Sequence, residues 1–173
     1  MLHNVDAHEG FRLDAARVHR VSDSEITFIE VTSDSAIAMQ AVTNYVMEVV
    51  GRLPQGFNPG ETIFADDSHC LAAMNGDELV CFGAFHAISD EDAEIKRLWT
   101  EPSWRGKGAA KLLLAALEER IVEQGFVRVV LDTNENLPEA IALYDSLGYE
   151  RIERYNDNPY ATSFHAKTLV VES

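Results

Sequence analysis

The sequence predicts the α/β (α+β) class, with a mixed, mostly antiparallel central sheet of about seven strands and helices on both faces. Three observations carry that expectation. Two runs, His69 to Met74 and Leu79 to Ile88, flank Asn75-Gly76-Asp77-Glu78, a hairpin sequence because Asn-Gly readily takes the positive φ angles of tight turns. Two amphipathic stretches, 107–124 and another beginning near Pro138, follow the hairpin and alternate with extended segments. Between them, Phe126 to Asp132 is nearly all apolar, as a strand covered on both faces should be.

Taken in order, residues 1–25 show no clear periodicity and read as an N-terminal extension of uncertain structure, ahead of one domain spanning 26–173. Ile26 to Val31 is β-branched and aromatic and reads as a strand; Asp34 or Ser35 then caps a helix carrying Ile37, Val42, Tyr45, Val46 and Val49, which ends by Gly51. Pro54, Gly56, Pro59 and Gly60 punctuate a loop or short helix. After the hairpin, Ala93 to Thr100 extends the meander. Helix 107–124 buries Ala110, Leu113, Leu114, Leu117 and Ile121, with Gly125 as its stop. The last helix aligns Ala140, Leu143, Tyr144 and Leu147 before Gly148, and Glu150 to Tyr155 and Phe164 to Val171 close the sheet. A β-α-β-β-β-α-β-α-β-β order is a mixed sheet with helices on its faces.

Composition narrows the function. With 173 residues, 46% of them hydrophobic, the chain can bury one substantial core. No apolar run approaches the roughly 20 residues of a membrane span, and the N-terminus lacks a signal-peptide pattern, so a soluble cytoplasmic protein without membrane partners is expected. Cys70 and Cys81 lie in apolar strands and read as reduced core thiols. A net charge of −15 disfavours nucleic acid, whose binding depends on cations neutralising phosphates. Against that background, 95–111 holds Lys96, Arg97, Arg105, Lys107 and Lys111 against the single acid Glu101. A basic island on an acidic protein points to a polyanionic small molecule.

The island sits where a strand ends, a glycine-bearing turn follows and a helix begins. Such a junction offers unpaired backbone N–H groups and the positive end of a helix dipole to an anion. Gly106 and Gly108 leave the backbone approachable. His69, His86 and His165 alternate with apolar residues, lack metal-ligand spacing and read as structural histidines, so no metal is expected. Arg105-Gly106-Lys107-Gly108-Ala109-Ala110 resembles the Arg/Gln-x-x-Gly-x-Gly/Ala signature of the GNAT acetyltransferase superfamily, with Arg105, Gly108 and Ala110 in register. The order of elements from Ala93 through Ala140-Ile141-Ala142-Leu143-Tyr144 to Gly148-Tyr149 is similar as well.

The resemblance implies acetyl-CoA, or a related acyl-CoA, as co-substrate and direct transfer of the acetyl group to a primary amine of a small molecule or peptide. It implies that Arg105, Gly106, Lys107, Gly108, Ala109 and Ala110 hold the coenzyme A pyrophosphate. Lys96-Arg97 breaks the alternation between Ile95 and Leu98, which a β-bulge accounts for. In the family such a bulge splays the strand so that pantetheine inserts. By that resemblance Leu98, Trp99 and Thr100 line the cofactor, and the Leu98 N–H polarises the thioester carbonyl, a contact whose loss can cost about 3 kcal/mol in a transition state. Glu94 matches the family's base, acting through water, with partial burial raising its pKa; on the residues alone it is equally a solvent-facing strand carboxylate. Tyr144 matches the general acid of Leu-Tyr-x-x-x-Gly-Tyr. Where the family often has Asn seven residues before that Tyr, this chain has Leu137, with Asn134 or Asn136 as substitutes. Tyr155 to Tyr160 reads as a simple turn or as part of the acceptor pocket. Rival readings are a non-catalytic module that senses acyl-CoA, and a nucleotide-binding protein using the same loop. The oligomeric state, a homodimer included, is open.

Overall fold

A computed structural model describes residues 18–53 and 64–169. The first 17 residues, the punctuated segment around Pro54 to Gly60 and the last four residues lie outside the described residues. Eight strands form one sheet: β1 (Val18–Val21), β2 (Ser24–Val31), β3 (His69–Asn75), β4 (Glu78–Ala87), β5 (Asp92–Thr100), β6 (Arg128–Thr133), β7 (Glu150–Arg151) and β8 (Ser163–Thr168). Among the described residues three α-helices accompany them, α1 (Ala36–Val50), α2 (Ala109–Glu123) and α3 (Pro138–Ser146), with a 3-10 turn at Pro102–Trp104 ahead of α2. The sheet order is β1-β2-β3-β4-β5-β6-β8-β7, and the β5–β6 pair is parallel in an otherwise antiparallel ladder.

The additional strand is β1, which pairs antiparallel with β2 inside the stretch where the sequence shows no periodicity. Its four residues are too few for a pattern to emerge, and only Val21 is buried. Strand β7 is shorter than expected, because after Arg151 the chain leaves the ladder for the Tyr155–Tyr160 loop. The hairpin forms where it is expected, but the turn is Gly76-Asp77: Gly76 alone takes a positive φ, +58°, while Asn75 stays in β3 and faces Glu78 across the hairpin. Ser35 caps α1, its hydroxyl accepting from the Ala38 N–H at 3.1 Å.

Alternation sorts the strands between two cores. On one face Ala38 and Ala41 of α1 pack on Cys70, Ala72, Phe82 and Ala84. On the other, Leu113, Leu114, Leu117 and Ile121 of α2 cover Leu71, Ala73, Phe85 and Ile95. Helix α1 docks through Ala38, Ala41 and Val49, with Ile37 packed beside them, while Val42, Tyr45 and Val46 are only half-buried, which leaves Tyr45 at the edge of the opening described below. Both cysteines are free and buried; burial pushes the Cys70 thiol up to about 11 and the Cys81 thiol up to about 12, so neither is a thiolate near neutrality.

Candidate active site

The site begins with a break in pairing. Strand β5 runs parallel to β6 only over Asp92–Glu94 against Arg128–Val130, after which β6 continues beside β8. At the same level the β4–β5 register shifts between Phe82 and Ala84, and Arg97 adopts φ +60°. That is the bulge inferred from Lys96-Arg97: an extra residue bends β5 and turns it away from β6. Gly83 stands across from it. A Cβ there would lie 2.7 Å from Leu98 Cδ2 and 2.8 Å from Leu117 Cδ1, so the missing side chain is the space Leu98 occupies.

Two cavities of about 300 Å³ each open into this gap and share Tyr45, Leu98, Leu137, Ala140 and Tyr144 as common walls. The first runs along β5 to the start of α2, past Leu98, Trp99 and Thr100 to Arg105 and Gly106. Gly108, Ala109 and Ala110 close it, with Lys111 beside them. Gly106 (φ +74°) and Gly108 (φ +90°) are held in the left-handed region, and a Cβ at either would meet nothing within 4 Å. Within the protein itself, backbone conformation rather than crowding therefore demands glycine. Gly108 caps α2 without a side-chain hydrogen bond, and the first turn carries no acid. An uncompensated helix N-terminus beside Lys111 is a site for anionic oxygens.

Arg105 bends back on its own strand, donating to the Thr100 carbonyl from Nε at 3.1 Å and Nη2 at 2.9 Å, and pairs with Glu48 of α1. Glu48 also lies 3.6 Å from Arg52, which pairs with Glu139 of α3. Lys107 does not line the cavity; its ammonium stands 5.5 Å from the Trp104 ring centroid. Asn136 is outside both cavities too. Its amide donates to the Arg52 carbonyl at 3.1 Å, whereas Asn134 is buried and lines the second cavity.

The second cavity lies beyond the bulge and is walled by Arg97, Asp132, Asn134 and the loop from Asp157 to Ala161. Tyr144 stands between the two cavities. It is buried, its pKa is raised chiefly by desolvation and further by the nearby Tyr45 and Asp132, and its phenol stays protonated near neutrality. Its ring lies against Tyr149 and His165. The last of these is not the fully satisfied histidine expected: Nε2 meets Ser163 Oγ at 2.7 Å, but buried Nδ1 has no partner among the described residues.

Glu94 lines neither cavity. It is 4% exposed, opposite His86 on β4, and its carboxylate is met by His86 Nε2 at 2.8 Å, Tyr155 Oη at 2.6 Å, Asn156 Nδ2 at 3.1 Å and Lys96 Nζ at 3.3 Å. Burial pushes its pKa up, as expected from sequence. The hydrogen bonds from His86 and Tyr155, the Lys96 charge and the Asn156 amide outweigh that and hold it at about 2. The expected direction is therefore reversed, because the carboxylate is solvated by fixed donors rather than left bare. His86, read as structural, is one of those donors. Sequence reasoning also missed Tyr45, which passed for a core residue of α1, and Asp132, the one acid closing an apolar strand. Its position at the carboxyl end of a strand beside a break in pairing was the available signal.

Among the described residues no group of three or more His, Cys, Asp or Glu side chains is placed to hold a metal, and no helix is long and apolar enough to cross a membrane. The Acetyltransferase (GNAT) family profile matches residues 43–149, from α1 through Tyr149. The chain is 45% identical over 60 residues to the uncharacterized N-acetyltransferase YjgM of Escherichia coli K12, which covers 35% of this chain and 36% of that one. Over 88 residues it is 33% identical to the uncharacterized N-acetyltransferase YsnE of Bacillus subtilis 168, covering 50% of this chain and 58% of the relative. In fold it is similar to a GNAT family acetyltransferase from Elizabethkingia anophelis crystallised with acetyl-CoA bound, with a TM-score of 0.64, 13% identity, and coverage of 83% of this chain and 98% of that one. A splayed β5–β6 pair, a glycine-capped α2 and a matching profile over more than half its length make this chain a member of the GNAT acetyltransferase family.

Proposed function

We propose that this chain transfers an acetyl group from acetyl-CoA to a primary amine by direct attack. One observation carries the reading: a continuous opening runs from a helix N-terminus with no side-chain cap, along the free edge of β5, to a buried tyrosine at the junction with a second, polar cavity. When bound, acetyl-CoA supplies an activated acyl thioester. The residues present fit such a donor. Gly106, Gly108, Ala109 and Ala110 offer backbone N–H groups to the diphosphate, and Arg105 and Lys111 add charge beside them. Trp99 and Thr100 bound the channel, and beyond the bulge β5 has lost β6 as a ladder partner, leaving its edge available to the pantetheine amides.

Each chemical role follows from position. The Leu98 N–H donates to the thioester oxygen, where negative charge develops as the amine adds. Tyr144, kept protonated by burial, gives its proton to the departing sulfur. Glu94, held near 2 and turned away from both cavities, is a positioning residue: it fixes Tyr155 and Asn156, and through them the loop that roofs the acceptor side. The test is release of free thiol from acetyl-CoA across a panel of amines. Amine-dependent release with acetylated product supports transfer. Tight acetyl-CoA binding with no release for any amine favours the sensing module instead.

A further inference from the structure

Asp132 and Arg97 face the same acceptor cavity with opposite charge. We infer that the acceptor is a small zwitterion of the amino-acid type, its ammonium resting on Asp132 and its carboxylate on Arg97. Acyl transfer at Leu98 and Tyr144 is presupposed; the class of acceptor is what is added.

Asp132 ends β6 where that strand parts from β5, and its half-buried carboxylate lines the acceptor cavity. It is held by neutral amides, Asn156 Nδ2 at 2.6 Å and Asn158 Nδ2 at 3.4 Å. Among the described residues no Lys, Arg or His forms an ion pair with it. Amides orient a carboxylate without cancelling its charge, and a partly desolvated uncancelled charge favours a cationic ligand. Glu94 differs in that Lys96 already pairs with it. Asp132 is also close to the chemistry, since its charge acts on both Tyr45 and Tyr144, which stand at the junction of the cavities.

Arg97 sits on the crest of the bulge at φ +60°, a conformation that is strained for a non-glycine residue and is kept only where the surroundings enforce it. The bulge turns its guanidinium towards α1, 5.7 Å from the Tyr45 ring centroid. A planar fork of donors suits a carboxylate. A diamine would need a second acid where Arg97 stands, and a peptide N-terminus would bring a neutral amide to that place. An amine with an adjacent carboxylate matches both walls of a cavity of about 300 Å³.

The transfer balances. Asp132 accepts one proton from the bound ammonium and releases it to solvent, leaving a neutral amine. As the C–N bond forms and the C–S bond breaks, Tyr144 gives its proton to sulfur and recovers the second proton from nitrogen.

The test compares free L-amino acids, their carboxamides and putrescine as acceptors, with thiol release as readout and calorimetry of acetyl-CoA as a check on each variant. The best amino acid should exceed its amide in kcat/KM by at least about 10-fold, the order expected of one charge-assisted pair. Arg97→Met should lower kcat/KM for that amino acid by about 10-fold or more beyond whatever it costs the amide; Arg97→Lys should recover part of that difference. Asp132→Asn should lower kcat/KM for every amine, by on the order of 100-fold. Should Arg97→Met fail to bind acetyl-CoA, the Lys variant and the wild-type amino acid to amide ratio decide. Amides or putrescine turned over as well as any free amino acid would overturn the zwitterion and leave acyl transfer standing. No release with any compound, despite acetyl-CoA binding, would overturn both.

Discussion

The two halves of the opening are built in different ways. The floor of the donor half is local: Leu98 to Lys111 supplies the β5 edge, the turn, the glycines and the first turn of α2 within one continuous stretch, with α1 and α3 closing it from above. The acceptor half is assembled from Tyr45 on α1, Arg97 on the bulge, Asp132 at the end of β6 and the loop at 157–161. Backbone geometry makes the first, and side chains from four segments make the second. Changes in the donor half should therefore alter coenzyme affinity and rate whatever the amine, while changes in the acceptor half should discriminate among amines.

The largest effect should come from Tyr144, one of the residues both halves share. Tyr144→Phe should lower kcat by about 100-fold or more while acetyl-CoA affinity changes by less than about threefold, measured by thiol release and calorimetry. An equal loss of affinity would make Tyr144 a wall and not an acid. Next is the acceptor side's support. Glu94 sits at about 2 in the folded protein against an ordinary 4.5, so its contribution to stability is complete above about 4.5 and is lost as the pH falls towards 2. With the group almost wholly buried, this amounts to about 3 kcal/mol, and Glu94→Gln should flatten the acid limb of a denaturant-midpoint profile. A profile unchanged by that substitution would mean that the ring of donors around Glu94 contributes nothing to folding.

Gly83→Ala tests the donor side from beneath. With Leu98 and Leu117 under 3 Å from the new Cβ, overpacking should cost about 1–3 kcal/mol by urea unfolding and reduce kcat through displacement of Leu98. Wild-type stability and rate together would show that the bulge yields freely. The smallest effect is expected at Glu48, whose carboxylate occupies Arg105. Glu48→Gln should tighten coenzyme A binding by about two- to fivefold in calorimetry, in keeping with a surface ion pair worth under about 1 kcal/mol.

Legibility in the sequence followed the same division. The hairpin at Gly76, the Ser35 cap, the bulge at Lys96-Arg97 and the glycine-capped start of α2 could all be read, because each depends on a few neighbouring residues and on conformations that only certain side chains permit. Tyr144 could be placed through its family resemblance. Strand β1 could not, being four residues long with one buried side chain, nor could the environment of Glu94, whose donors come from positions 86, 96, 155 and 156. Lys107 and Asn136, which the resemblance places on the cofactor, line neither cavity: their side chains meet Trp104 and the Arg52 carbonyl instead.

By itself, then, the sequence determined the class of fold, the family and the donor-side loop, since periodicity, turn residues and the glycines at 106 and 108 are local constraints on the backbone. Tertiary structure alone decided which carboxylate lines the second cavity. Glu94 and Asp132 are both acids on strands, and only packing shows that four donors surround one while neutral amides leave the charge of the other uncancelled. The charge a site presents depends on what folding brings around each group, and that neighbourhood is drawn from across the chain.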